Sequence, residues 1–550
     1  MIKDDFYSEW LTVSDNDLVR ELLNMTEEEK EEAFSQNIEF GTGGLRGILG
    51  PGTNRMNLYT VRKVTQGYSE YIKRIGREAM RRGVVIAYDN RRKSKEFAQD
   101  TANLLSENGI RVYLFDSLRP TPELSFAVRE LGAIGGIVIT ASHNPPEYNG
   151  YKIYDENGCQ LTPRHTDILI DIINQVPIDL RRDPVPYLDL IEIIGSELDE
   201  KYYAKVSEIS INSGLEKDIT IVYSAQHGAG NIPVRTLLQR NGYKVVALEE
   251  QCYPDTEFSN TKNPNPETPE AFELSLERAR TLSADIILIT DPDCDRVGAA
   301  VFHNGDYIRL SGNQMGAILL EYILSSRTRA ELANSVMINT IVTSDLGDAI
   351  ANFYGLEVEK TLTGFKFIGD RIDYHNSTDK KRFAFGYEES YGYLIGDFVR
   401  DKDAVQAALI ISEACTYYKS RGKTLIDVLE SIYQKYGYYS DSLVSITKPG
   451  LSGAAEIRDI MRNMRLNPPV YIAEKKVVRI EDYTTDQKAA DYMPDADVLK
   501  YFLDGGSWIA IRPSGTEPKC KIYYSARADG RLESQNLLNL MKSEISALMK

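Results

Sequence analysis

Five times along this chain a short β-branched apolar run stops abruptly at a polar residue and gives way to a helical pattern. The runs are Val84–Asp89 (VVIAYD), Gly136–Ser142 (GIVITAS), Ile219–Ser224 (ITIVYS), Asp285–Asp291 (DIILITD) and Val336–Ser344 (VMINTIVTS). Because they do not alternate apolar with polar residues, they predict strands buried on both faces, as in a parallel sheet covered by helices on each side. Their recurrence predicts several α/β units of related build, although no fixed-period repeat is present. Ligands of open α/β sheets gather at the carboxyl ends of strands, so the polar residues that end each run are where chemistry is expected.

At roughly 100–200 residues per domain, a chain of 550 residues predicts several domains. The proline-rich, charged stretch Ile178–Glu200 reads as the connection that ends the first, giving residues 1–204. A second unit runs over 205–304, to the turn at Asn304-Gly305, and a third over 305–437, through the amphipathic helix near Leu425–Tyr436. Residues 438–550 change character: Asp441–Thr447, Val477–Ile480 and Ser507–Ile511 look like strands of a small α+β domain.

Composition narrows the partners. With 64 Lys and Arg against 81 Asp and Glu, the net charge is −17, which repels nucleic acid and anionic membrane over the whole surface. A small anion is still admissible where Arg and Lys cluster. The five cysteines form no C-x-x-C pair, the start MIKDDFYSEW is not a signal peptide, and no apolar run approaches the ~20 residues of a membrane helix. A cytoplasmic protein with reduced thiols is the expectation.

Four segments carry chemistry, with a lesser glycine-rich stretch beside them. Asp291-Pro-Asp293-Cys-Asp295-Arg296 follows the run DIILIT and sets three carboxylates at alternate positions of one loop, the all-oxygen donor set a hard cation such as Mg²⁺ takes. An EF-hand is excluded, since its sixth and twelfth positions are Arg296 and Phe302. An aspartate-nucleophile phosphatase fits only if its pattern slides off the strand to Asp293, and stays a rival. Thr140-Ala-Ser142-His143-Asn144-Pro145-Pro146 ends another run without the G-x-S-x-G elbow of hydrolases. It is a turn, or a serine whose phosphorylated oxygen reacts beside a metal. Arg512-Pro-Ser514-Gly515-Thr516-Glu517-Pro518-Lys519 offers a guanidinium, hydroxyls and a glycine, the parts of a phosphate-holding loop that is not a P-loop. Gly41-Thr-Gly-Gly-Leu-Arg46-Gly lacks the dinucleotide fingerprint and leaves Arg46 as an anion ligand on a flexible loop. Finally, Gly386-Tyr-Glu388-Glu389-Ser390-Tyr391-Gly392 sets acceptors among aromatic rings, suited to sugar hydroxyls or to a charged helix start.

Together these segments resemble the signature set of the α-D-phosphohexomutase superfamily, the phosphoglucomutases and phosphomannomutases, and most of all its long phosphoglucomutase branch. The resemblance runs from Gly41 to Lys519, with lesser matches at Tyr88–Arg91, Thr121-Pro122, His227-Gly228 and Thr363–Lys366. It implies three similar mixed α/β sandwich domains plus a smaller C-terminal α+β domain around a central cleft. It further implies interconversion of glucose 1-phosphate and glucose 6-phosphate through a phosphoserine enzyme and glucose 1,6-bisphosphate, which serves as intermediate and activator. A phosphomannomutase or phosphopentomutase of the same mechanism is the alternative. Residue by residue, Ser142 matches the phosphoserine and, with Asp291, Asp293 and Asp295, the Mg²⁺ ligands. His143 and Lys152 match groups beside the reacting phosphate, Lys152 as general base. Glu388 and Ser390 match sugar ligands, and Arg512, Ser514, Gly515 and Thr516 the loop on the non-reacting phosphate. Arg46, Arg296 and Lys366 look like supporting cations, Lys366 also an acid, and Arg91 and Lys519 are expected to face the same cleft. Tyr387 stands where many relatives have glycine, which bears on substrate choice. Sugar phosphates are the expected partners, without nucleic acid or membrane, for a monomer or homodimer.

Overall fold

The computed structural model describes the chain except residues 1–3, 14, 42, 449–452, 486, 487, 489, 491, 515–518 and 550. It forms two compact units. One comprises Met1–Leu310, Phe365–Lys380 and Tyr391–Gly422, the other Ser311–Gly364, Lys381–Ser390 and Lys423–Lys550.

The first unit holds two helix-flanked sheets. In one, the strands run in the order Phe40–Gly41, Gly44–Ile48, Tyr148–Tyr154, Gly135–Ile139, Val84–Tyr88, Val112–Phe115, Ile191–Ile194. The last four are mutually parallel, and Val84–Tyr88 and Gly135–Ile139 are buried along their whole length. That burial is what their unbroken apolar runs require. Two segments differ from expectation. Ile191–Ile194, read as part of a connection, is an edge strand on Val112–Phe115; half its residues are exposed, so it lacks an apolar run. The glycine-rich stretch around Arg46, read as a flexible loop, is strand Gly44–Ile48, antiparallel to Tyr148–Tyr154 with Arg46 opposite Gly150. Gly44, at φ +99°, permits this, because a Cβ there would lie 2.4 Å from the Tyr151 carbonyl oxygen.

The second sheet orders Asp306–Leu310, Val297–His303, Ile286–Thr290, Thr220–Ser224 and Lys244–Ala247. Asn304-Gly305, with both φ positive, turns the hairpin that pairs His303 with Asp306.

In the second unit, Glu357–Thr361, Ser335–Thr340 and Arg382–Glu388 lie parallel, with helices Gly312–Ser325, Asp345–Phe353 and Leu425–Tyr436 in the same unit. The C-terminal sheet is antiparallel and orders Tyr438–Thr447, Lys519–Ala528, Trp508–Pro513, Leu499–Leu503, Lys475–Asp482 and Tyr471–Ile472. Helix-flanked sheets followed by a C-terminal α+β domain are the predicted fold class.

Candidate active site

Two strand ends of the first unit build a common centre. Beyond Gly135–Ile139 the chain turns through Ser142, whose φ of +51° lies in the left-handed region. The Ser142 N–H donates to Thr140 Oγ1 at 2.8 Å. Its hydroxyl donates to Asp291 Oδ2 at 2.7 Å and lies 3.2 Å from His143 Nδ1. Burial, with Arg296 and Arg46 nearby, pushes the His143 imidazole well below its usual range, so it is uncharged at neutral pH. Arg46 donates to Asn144 Oδ1 at 3.2 Å, and Arg296 pairs with Glu267 at 2.7 Å.

Asp291, Asp293 and Asp295 follow strand Ile286–Thr290 and are all buried, with one oxygen of each within 4.8 Å of the others. Asp291 Oδ1 accepts from the backbone N–H groups of Asp295 and Arg296 at 3.1 and 3.0 Å. Asp293 Oδ2 accepts from Lys152 Nζ at 2.9 Å and Thr121 Oγ1 at 3.0 Å. Asp295 Oδ2 lies 2.9 Å from Lys402 Nζ and 3.8 Å from Lys152 Nζ. Burial and the two neighbouring carboxylates push Asp291 well above the carboxylate range. Asp293 is held below it, because Lys152 outweighs the cost of burial. Asp293 Oδ1 and Asp295 Oδ1 remain buried without a hydrogen-bond partner among the described residues. Orphaned oxygens beside a third carboxylate fit a hard divalent cation, which takes oxygen ligands and offsets the repulsion among the three carboxylates.

In the second unit, Glu388 ends strand Arg382–Glu388 in a buried position and accepts from the Gly364 N–H at 2.8 Å. Glu389 Oε2 accepts from the Thr340 and Thr343 hydroxyls at 3.3 Å, and Ser390 is half-buried. Arg512 sits near the end of strand Trp508–Pro513, where the Ser514 N–H donates to the Lys519 carbonyl at 2.7 Å and closes the loop. Gly515 and Thr516 lie outside the described residues. Burial pushes the Tyr523 hydroxyl up, with smaller electrostatic contributions from Glu389, Arg512 and Glu388.

The domain families of phosphoglucomutase/phosphomannomutase match the chain in order. Alpha/beta/alpha domains I, II and III match residues 37–177, 200–304 and 311–436, and the C-terminal domain matches 463–536. A phosphoglucomutase of Staphylococcus epidermidis is 38% identical over 539 residues, covering 94% of this chain and 96% of its own. The chain belongs to the phosphoglucomutase/phosphomannomutase family. It is thus an enzyme, a mutase that moves phosphoryl groups. A phosphoglucomutase of Staphylococcus haemolyticus is likewise 38% identical over 547 residues, covering 96% of this chain and 98% of its own. Solved structures share the fold. A family protein from Burkholderia thailandensis aligns with TM-score 0.68 at 18% identity, covering 94% of this chain and 98% of its own. Paramecium pp63/parafusin in its open form aligns with TM-score 0.70 at 17% identity, covering 93% and 95%. No helix among the described residues is long and apolar enough to cross a membrane.

Against this family frame, the structure amends two expectations, for Arg91 and Tyr387, and adds detail at other residues. Arg91 does not face an anion site: its side chain is fully buried and donates to four backbone carbonyls of the Ser142 loop. Tyr387 does not bear on a sugar directly. Strand alternation turns it opposite to Glu388 and into the core, where a Cβ on Gly316 would fall 2.5 Å from its ring and one on Gly347 2.1 Å from its hydroxyl. Lys366 is buried on helix Phe365–Thr378, its carbonyl accepting from Cys159 Sγ at 3.2 Å. Sequence reasoning passed over Lys402, although the dense alternation Arg400-Asp-Lys-Asp403 beside an apolar helix is a legible signal. Thr121 was matched without a role; besides its hydroxyl bond, its N–H donates to the Asp293 carbonyl at 2.9 Å.

Proposed function

We propose that this mutase interconverts glucose 1-phosphate and glucose 6-phosphate with Ser142 as the phosphoryl carrier. The observation that carries the reading is the Ser142 hydroxyl bonded to Asp291, beside His143 and a Lys152 paired with Asp293. Asp291, Asp293, Asp295 and the Ser142 oxygen would hold Mg²⁺, which when bound offsets the charge of the phosphoryl group. Phospho-Ser142 meets the free sugar hydroxyl. The bond from Ser142 Oγ to phosphorus breaks, the sugar oxygen bonds to phosphorus, and the hydroxyl proton passes by way of a base beside Ser142 to the freed Ser142 oxygen.

Lys152, 2.9 Å from Asp293, is the general base of this proposal, with His143 beside Ser142 as the second group at the reacting phosphate. Glucose 1,6-bisphosphate then reorients, and its other phosphate returns to Ser142. Arg512, Ser514, Gly515 and Thr516 hold the non-reacting phosphate, Glu388 and Ser390 fix sugar hydroxyls, and Arg46, Arg296 and Lys366 supply further positive charge. Each loop is assigned to its own domain, expected at 1–204, 205–304, 305–437 and 438–550, except that strand Asp306–Leu310 belongs with the second domain's sheet and not with the third. The enzyme works in the cytoplasm as a monomer or homodimer, in keeping with five unpaired, buried cysteines.

Intact mass of the purified protein is expected to show one phosphate, localised to Ser142 and lost on adding excess sugar monophosphate. Folded Ser142→Ala is expected to have no mutase activity. Appreciable turnover by that variant overturns the carrier role. Side-by-side turnover of glucose 1-, mannose 1- and ribose 1-phosphate tests the sugar, with glucose expected fastest.

A further inference from the structure

The turn Asp89-Asn90-Arg91-Arg92 has no part in the transfer just described, yet its arginine is among the most thoroughly engaged side chains of the protein. Arg91 Nη1 donates to the carbonyls of Pro145 at 2.8 Å and Tyr148 at 3.0 Å. Nη2 donates to the carbonyls of Ser142, at 2.6 Å, and Asn144. Nε faces Asp89 Oδ2 at 3.4 Å, and both side chains are fully buried. A planar fork reaches four carbonyls at once, where a lysine ammonium reaches fewer and with no fixed geometry. The clamped segment begins at Ser142, whose φ of +51° is strained for a non-glycine residue and persists only where surroundings impose it.

One face of the guanidinium is covered by the loop that follows strand Lys244–Ala247 of the other sheet of the same unit. Its centre lies 5.1 Å from the ring of Phe258, a residue 2% exposed and itself at φ +51°. Asp255 holds the Phe258 turn by accepting from the N–H groups of Glu257 at 3.0 Å and Ser259 at 2.8 Å. The Asp255 carbonyl accepts from Asn90 Nδ2 at 2.8 Å, next to Arg91. On its other side the Phe258 ring meets His227 edge-on at 6.4 Å. His227 is followed by Gly228, where a Cβ would lie 2.4 Å from Pro292 Cα, and by Ala229, whose N–H donates to the Pro292 carbonyl at 2.7 Å. Pro292 stands between Asp291 and Asp293. An unbroken line of contacts thus leads from the Ser142 loop through Arg91, Phe258 and His227 to the aspartate loop.

We propose that Arg91 and Phe258 are positioning residues that register the Ser142 loop against the aspartate loop for phosphoryl transfer. The proposal rests on Ser142 being the carrier. Neither side chain reaches the reacting atoms; each acts through the backbone of the loop. The guanidinium imposes the loop conformation, and the aromatic face holds the guanidinium where all four carbonyls are in range.

The test uses the full chain with Arg91→Lys, Phe258→Leu and Phe258→Tyr. All three are expected to keep wild-type circular dichroism. Arg91→Lys and Phe258→Leu are expected to lose about 10–100-fold in kcat, the scale of a small misplacement of reacting groups, with KM nearly unchanged. Phe258→Tyr restores the ring and is expected to restore kcat. A fall confined to KM, wild-type kcat in Phe258→Leu, or a loss that Phe258→Tyr fails to rescue overturns the proposal. If Arg91→Lys does not fold, the Phe258 pair decides alone. Intact mass of the wild type separates the two readings: no phosphate on Ser142 overturns the carrier role and this proposal with it. Phosphate on Ser142 with unchanged kcat in the variants overturns this proposal alone.

Discussion

Two buried clusters of charge, one in each unit, look alike in composition and differ in what they leave unfinished. In the first unit, Asp291, Asp293 and Asp295 face Lys152 and Lys402, and two carboxylate oxygens have no hydrogen bond among the described residues. In the second, Lys360 Nζ bonds Asp345 Oδ1 at 3.2 Å and Asp348 Oδ1 at 2.9 Å. There Asn339 also donates to Asp348 at 2.9 Å, and Lys500 Nζ donates to the Ile341 carbonyl at 2.6 Å over the Trp508 ring. Clustered carboxylates that keep orphaned oxygens could hold a cation. A matched pair of signs with its carboxylates satisfied is architecture. The sharpest way to break this distinction is Asp293→Asn. Loss of the metal-holding charge is expected to cost about 10³-fold or more in kcat and to abolish the rise in melting temperature on adding Mg²⁺. Asp348→Asn, the counterpart in the balanced cluster, is expected to leave both readouts in place. Equal losses of kcat in the two variants would erase the contrast.

Lys360→Met probes the other side. It strands two carboxylates in the interior, which is expected to destabilise the protein by about 3–5 kcal/mol, read as a fall in the urea midpoint, while kcat of the folded protein stays near wild type. Wild-type stability in this variant would show that the cluster does not hold the second unit together.

How much of this was legible beforehand follows from the same physics. Val84–Tyr88 and Ile286–Thr290 announce themselves because burial on both faces demands unbroken apolar runs. Ile191–Ile194 does not, because an edge strand has only half its residues to bury. The three aspartates were visible as local spacing. Their partners were not, since Lys152 and Lys402 reach Asp293 and Asp295 across 141 and 107 positions of sequence that only tertiary packing closes. Arg91 was recognisable as a cation near the site, but charge alone does not reveal that its donors are aimed at backbone carbonyls instead of a ligand. Tyr387, adjacent to Glu388, was judged by position in the chain, where period-two alternation of a strand already turns neighbours to opposite faces.

The smallest effect concerns Asp441 and sharpens the account of the second unit through pH. Its carboxyl is buried in strand Tyr438–Thr447, accepts from Asn313 Nδ2 at 3.1 Å, and burial raises it from 3.8 to about 6. Between those values the folded chain binds the proton that the unfolded chain has released. The stability this group contributes is therefore complete below pH 3.8 and is lost as pH rises to about 6. The loss amounts to about 3 kcal/mol. Lys500, which burial lowers from 10.5 to about 8, acts from the alkaline side: its contribution is present above pH 10.5 and lost as pH falls to about 8. Both costs are fully present between the two folded values, so this region is weakest near neutrality. Asp441→Asn removes the acidic limb alone. Relative to wild type it is expected to gain melting temperature steadily from pH 4 to pH 6 and no further above, because every other carboxylate titrates alike in both proteins. A difference that stays constant over that range would show that Asp441 carries no raised pKa in the folded chain.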